Sequence, residues 1–382
     1  MLDADTLLLE YSLGERRSHL WAVTATSLRS FALAPRSSLE EAVRAAHAAV
    51  GSEPANPGQG TAELANLGRL LLGPVAPLLA GRRLVVVPDG ALHYVPFGAL
   101  PDPAEPSRPI AAGHELVALP SASTLAALRA RRTPARSFAG TVAVLADPVY
   151  DADDERLGRR RAGRRAAAQA RPSGDASTRA VEALGFEGPI PRLPFTRREA
   201  SSIRTIAPAG AALVALDFDA SRPALMDPKL SRYRIVHVAA HGLVNAARPE
   251  LSGILLSLFD RDGRPQPGFF TAGDALGLDL PADLVVLSGC RTALGREMKG
   301  EGIVGLTRGF LYAGAQRVVA SLWKVDDAAT AALMERFYRA LLGPRRLPPA
   351  AALRAAQLEL RSQPRFRHPY YWAGFQLVGE WR

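Results

Sequence analysis

Two segments decide how this chain folds: RIVHVAAHG at 234–242 and DLVVLSGCR at 283–291. Each is a short, continuous apolar run that ends at a reactive side chain, His241 in the first and Cys290 in the second. Apolar residues at successive positions over so short a span read as a strand buried on both faces. Such strands belong in a mostly parallel sheet covered by helices. In open sheets of that kind ligands bind outside the carboxyl ends of the strands, so His241 and Cys290 face one crevice if the strands are neighbours. A thiol is a weak nucleophile until it is deprotonated, and a nearby imidazole holds it as thiolate or assists its attack. Gly242 lets a carbonyl approach the backbone closely, and its N–H with that of Cys290 could make an oxyanion hole. Taken singly, a cysteine after an apolar run is usually a small buried hydrophobe and a lone histidine a satisfied core residue. Their placement 49 positions apart, at the ends of like strands, favours chemistry.

The same pattern extends outward in both directions. Thr6–Tyr11, His19–Thr24, 84–87, Thr141–Leu145, Ala212–Asp217, Arg317–Leu322 and Phe375–Val378 read as strands. Ser38–Val50, with Ser38 as its cap, reads as a helix, as do Leu64–Leu72, Arg197–Ile206, Gly302–Ala313, Asp327–Leu342 and Pro349–Arg361. Residues 101–109 carry four prolines and read as a surface loop. Residues 151–190, charged and then rich in Arg, Ala, Gly and Pro, read mostly as a mobile insertion. The chain has 382 residues, 48% of them hydrophobic, with 47 Lys and Arg against 37 Asp and Glu. It is long enough for two domains and can bury a core. Cys290 is the only cysteine, which excludes an intramolecular disulfide and a cysteine-based zinc site. No signal segment or membrane-length apolar run is evident, so a soluble, cytoplasmic protein without membrane contact is expected.

With these residues in view, the chain resembles the CHAT-domain family, caspase-like cysteine peptidases often attached to tetratricopeptide repeats. The resemblance is carried by HVAAHG at 237–242, LSGCRTALG at 287–295, GEGIVGLTRGFLYAGAQRVVASLWKVDD at 300–327, FYRALL at 337–342 and HPYYWAGFQLVG at 368–379. Upstream, LVVVPDGALHYVPFGAL at 84–100, LPSAS at 119–123 and LADP at 145–148 fit the same pattern. The resemblance implies a caspase-like α/β fold in which His241 and Cys290 take the dyad positions. It further implies that residues 1–135 form a degenerate caspase-like half and 136–382 the catalytic domain. A protein substrate, an activator that is regulatory or carries repeats, and a bacterial signalling setting are expected on the same grounds. Two departures limit what it implies about specificity. Ser288-Gly289-Cys290-Arg291 stands where caspases carry QAC, and Ser288 stands where metacaspases carry an aspartate two residues before the cysteine. Asp147, at the tip of the first strand of the catalytic part, is nominated to read the residue before the scissile bond, with Ser288 and Trp323 as weaker candidates. The alternative is a non-proteolytic caspase-fold signalling or scaffold module.

Three other features have ordinary explanations. Gly300, Gly302 and Gly305 form a GxGxxG, but they do not follow a strand end directly, so helix entry and packing explain them better than a nucleotide. His237 and His241 stand four apart, about 13 Å along a strand, too far to share a metal. No metal and no cofactor are expected. Arg159, Arg160, Arg161, Arg164 and Arg165 read as a solvated linker, and direct nucleic-acid contact is not expected.

Overall fold

The computed structural model describes residues 2–131, 137–157, 190–243, 252–289 and 301–381, with the backbone alone at 301–304. In chain order the strands are β1 (Thr6–Ser12), β2 (Ser18–Val23), β3 (Leu28–Leu33), β4 (Arg83–Val87), β5 (Pro101–Asp102), β6 (Glu105–Pro109), β7 (Leu116–Ala118) and β8 (Gly140–Pro148). They continue with β9 (Ala212–Asp217), β10 (Tyr233–Ala239), β11 (His241–Leu243), β12 (Gly253–Leu255), β13 (Phe269–Thr271), β14 (Leu284–Leu287), β15 (Arg317–Ser321) and β16 (Phe375–Gly379). The longer helices are α1 (Arg36–Val50), α2 (Thr61–Leu71), α3 (Ala122–Ala130), α4 (Pro194–Ile206), α5 (Glu301–Tyr312), α6 (Asp327–Leu342) and α7 (Pro349–Arg361).

Eleven of the described strands form one sheet in the order β3-β2-β1-β4-β7-β16-β15-β14-β10-β8-β9. The five strands from β15 to β9 run parallel to one another. β16 is antiparallel to β15 and parallel to β7, and β7, β4 and β1 are parallel in turn. The architecture is the mixed, mostly parallel α/β sheet with helices that the apolar runs predict. The two parts that the sequence divides near residue 135 contribute to one continuous sheet, joined where Val378 of β16 pairs with Ala118 of β7.

The buried strands carry their sheet position in their composition. Ile235, Val236 and Val238 of β10 and Leu284, Val285 and Val286 of β14 are buried, on both faces of the sheet. Side chains on one face meet α4 and α6, whose Ile203, Leu333, Met334 and Phe337 are fully buried. The other face packs on a second cluster that includes Phe270 and Phe310, whose rings stack at 5.9 Å.

Local signals went astray in two places. α1 starts at Arg36 behind Pro35, with no side-chain cap, so Ser38 lies inside the helix. The start is held by tertiary bonds: the Arg36 backbone N–H donates to Gly14 O (2.9 Å) and its guanidinium to Leu13 O (2.6 Å). The proline-rich stretch 101–109 is a small two-stranded hairpin, β5–β6. A proline is tolerated in an edge strand, where no ladder partner needs its missing N–H. The first seven residues of the 151–190 segment are described and include a single turn at Glu155–Leu157. The remainder up to 189, including the arginine run, lies outside the described residues.

Candidate active site

Because β9, β8, β10, β14 and β15 are parallel, their carboxyl ends share one edge of the sheet. Asp217, Asp147, His241, Gly289 and Ser321 all stand at that edge. The last paired residues of the two central strands are Val238 and Leu287, and the Ser288 N–H continues the ladder to Val238 O at 3.0 Å. His241 follows Val238 by three residues, as Cys290 follows Leu287. Cys290 itself lies outside the described residues, but Gly289, immediately before it, lies hard against the histidine turn. A Cβ on Gly289 would sit 1.9 Å from Ala240 O and 3.2 Å from Gly242 N, so only glycine fits there. Ser321 Oγ donates to Gly289 O (3.0 Å) and fixes the loop from the neighbouring strand. At Gly242, among the described residues, a Cβ would meet nothing nearer than Gly289 O at 4.0 Å.

His241 is buried at 5% exposure and begins β11, pairing with Leu255 of β12. Its backbone N–H donates to Tyr150 Oη (3.2 Å), which donates in turn to Leu255 O (3.1 Å), and the two rings are 5.2 Å apart. Its Nε2 lies 2.7 Å from the Pro191 carbonyl oxygen. A carbonyl only accepts, so Nε2 carries the proton and Nδ1 is the basic nitrogen of the neutral ring. A backbone carbonyl thus orients the His241 ring, a part that no side chain in the sequence announces. The signal that was available is Pro189-Ile-Pro191-Arg-Leu-Pro194, a proline-spaced segment that reads as extended and stiff.

Asp147, the nominated specificity residue, is enclosed by arginines, and its carboxylate is fully buried. Arg192 holds it with two bonds, Nε to Oδ1 at 2.9 Å and Nη2 to Oδ2 at 2.8 Å. Arg197 Nε reaches Oδ2 at 2.8 Å and Arg156 Nη1 lies 3.0 Å from Oδ1. Arg156 also donates to Asp217 (2.8 Å), to Asp154 through Nε (2.8 Å) and Nη2 (2.7 Å), and to the Asp147 carbonyl (2.8 Å). Burial pushes the Asp217 carboxyl up, but bonds from Arg197 and Arg156 outweigh it and hold it below the usual carboxylate range. Arg192 is held above the usual arginine range, chiefly by its bonds to Asp147. Beside this cluster, Tyr150, Asp151, Asp153, Asp154, Ile190 and Arg192 are among the residues lining a cleft of about 240 Å³.

Two nominated residues have other partners. Ser288 is 2% exposed and its hydroxyl sits 3.2 Å from His237 Nε2, beneath the sheet edge. His237 is itself buried, with Nε2 2.8 Å from Glu199 Oε1 and Nδ1 3.0 Å from the Tyr338 hydroxyl. His237 therefore belongs to a buried cluster and does not share a site with His241. Trp323 is fully buried and donates Nε1 to Tyr370 O (3.1 Å), a core contact on the far side of β15. Among the described residues no group of three or more His, Cys, Asp or Glu is placed to hold a metal ion. No described helix is long and apolar enough to cross a membrane.

The segment that presents Pro191 is tied down at its far end too, where the Phe195 N–H donates to Asp327 (3.1 Å) at the start of α6. Burial, with Glu199, Asp326 and Asp147 nearby, raises the Asp327 carboxyl to about 6, against the Phe195 bond that lowers it. The fold favours the protonated form, so this contribution to stability is present below about pH 4 and is lost as pH rises through about 6. Asp327→Asn keeps the acceptor and removes the charge. Its melting temperature relative to the parent should rise between pH 4 and pH 8, and a difference that is the same at both values would refute this.

Comparison with known proteins supplies the family. A family profile for the CHAT domain matches residues 61–380. Tetratricopeptide repeat protein 28 of Homo sapiens is 43% identical over 109 residues, and that of Mus musculus is 45% identical over the same length. Each match spans 28% of this chain but only 4% of the relative. These mammalian relatives lend no support to the bacterial setting expected from the sequence. Among solved structures, separase of Saccharomyces cerevisiae in complex with securin aligns over 78% of this chain and 16% of its own, at 12% identity and a TM-score of 0.43. Gingipain R, an Arg-specific cysteine proteinase, aligns over 90% of this chain and 74% of its own, at 9% identity and a TM-score of 0.47. The profile match covers most of the sequence, from α2 through β16. The chain belongs to the CHAT domain family.

Proposed function

We propose that this chain is a cysteine endopeptidase of the caspase-like type, with Cys290 as nucleophile and His241 as its acid–base partner. The observation that carries the reading is the setting of His241. Its ring is buried at the shared strand edge with Nε2 on the Pro191 carbonyl, and Gly289, next to Cys290, abuts its turn. In the reaction the Cys290 thiolate attacks the scissile carbonyl carbon, and the oxyanion takes hydrogen bonds from the Gly242 and Cys290 amides. Protonated Nδ1 of His241 delivers its proton to the leaving amine as the C–N bond breaks. Water, deprotonated by the same nitrogen, then hydrolyses the thioester and restores the thiol. Residues 1–135 serve as a non-catalytic companion half, and none of the residues given a role here comes from it. The substrate is a protein, and the tetratricopeptide repeats named in the mammalian relatives suggest a repeat-bearing activator.

A thiol-reactive peptide probe tests this directly. Labelling should occur at Cys290, and His241→Ala should slow it by at least about 100-fold, the scale of a general-base contribution. Labelling at the same rate in both proteins would indicate an inert fold rather than a peptidase.

A further inference from the structure

We infer that Asp147 is a positioning residue: through Arg192 it fixes the Pro191 carbonyl on which His241 rests. This rests on the peptidase reading and changes the part Asp147 plays in it. A carboxylate offers about four lone-pair directions. At Asp147 they are taken by Arg192 Nε and Nη2, Arg197 Nε and Arg156 Nη1, all within 3.0 Å. A substrate cation would have to displace one of these guanidinium groups from a fully buried site. The carboxylate is committed to the protein's own arginines.

What it holds is the histidine's support. Arg192 directly follows Pro191, and the peptide unit joining them is planar, so its oxygen moves only as the whole plane moves. Proline fixes its own φ, one bond before that plane, and the two-bond grip of Asp147 on the guanidinium restrains the residue that follows it. The backbone of Asp147 joins the same assembly: its N–H donates to Thr196 Oγ (3.1 Å), which donates to Leu193 O (2.7 Å). Asp147 also has a φ of 51°, in the left-handed region that non-glycine residues seldom occupy. Such strain persists where the surroundings over-determine it. Here the surroundings are the Pro191–Thr196 segment on one side and Arg156 on the other. One buried acid therefore clamps both feet of the chain that leaves β8 and returns at residue 190.

The test separates this role from substrate reading and from plain stability. Protein carrying Cys290→Ala and ¹⁵N-labelled histidine is examined by NMR, with the His241 ring assigned by its loss in His241→Ala. The expected starting signal is a single Nε2–H tautomer in slow exchange with water. Adding Arg192→Ala should give a tautomer mixture and exchange at least about 10-fold faster, whereas adding Arg197→Ala should leave the signal in place. Arg197 also binds Asp147 but has no link to Pro191, which makes it the control for a merely structural effect. In the active protein Arg192→Ala should lower kcat by about 10- to 100-fold, the usual scale for groups that orient a functional histidine. The loss should be equal for basic and neutral reporters, with KM little changed. Arg192→Lys should not rescue, because an ammonium cannot make the two-bond grip. An unchanged His241 signal in Arg192→Ala overturns the proposal, as does an Asp147→Asn variant that raises KM for basic reporters alone. The NMR arm reads the clamp even if no peptide is ever cleaved.

Discussion

Cys290→Ala should leave a folded protein whose hydrolysis of a peptide reporter falls by about four to six orders of magnitude, as when the nucleophile of an established dyad or triad is removed. His241→Ala should fall by a similar factor. The double variant should be scarcely worse than either single one, since groups that act as a unit fail as a unit. Cys290 is the sole cysteine in the chain, so no second thiol can substitute. The measurement is the initial rate on a substrate cut by the parent, with circular dichroism to show that the fold survives. Residual cleavage within tenfold of the parent in Cys290→Ala would mean that the nucleophile lies elsewhere and the proposed mechanism is wrong.

The second large effect is on stability. Glu199 of α4 and His237 of β10 lie 2.8 Å apart with both side chains essentially sealed from water, and Tyr338 and Ser288 complete the cluster. Burial and the charge of Glu199 keep the Tyr338 phenol well above its ordinary titration range, so it retains its proton. Removing Glu199 leaves His237 short of one partner in a site sealed from water, although Tyr338 and Ser288 remain, which costs about 1–3 kcal/mol. Glu199→Ala should therefore lower the unfolding free energy by about that amount in urea titrations at neutral pH. A loss under about 1 kcal/mol would mean that the pair contributes no more than an exposed one.

Much of the sheet was legible because its strands are buried on both faces, and burial of that kind writes itself as runs such as Leu284–Leu287 and Ile235–Val238. The place of His241 at the strand edge was legible for the same reason, since it closes such a run, while Cys290 lies outside the described residues. β3 was not, because Leu28–Leu33 is an edge strand that is largely exposed and shows no clean alternation. The three-residue strands β11, β12 and β13 are too short for any period to appear. The histidine's orienting partner was invisible because it is a main-chain oxygen, and a carbonyl leaves no mark in composition. The arginine cluster around Asp147 could not be read from the sequence, because its three members lie 9, 45 and 50 residues away. Only the turn of the chain at the edge of β8 brings them to one carboxylate.

β16 comes last of the described strands in the chain and yet occupies the middle of the sheet, with β7 on one side and β15 on the other. During synthesis, then, two part-sheets exist before the strand that joins them. Until Phe375–Gly379 has been made, β7 and β15 each present a bare row of backbone donors and acceptors, the kind of edge that invites pairing with another molecule. Translation at about 5–20 residues per second sets how long that window stays open. When β16 does arrive, Arg129 of α3 receives it with a bond to Glu380 at 3.1 Å and stacks over the Trp381 ring at 4.7 Å. The arrival of β16 thus decides whether two nascent edges close on each other or on a neighbour, which ties the yield of folded protein to how soon that strand follows β15.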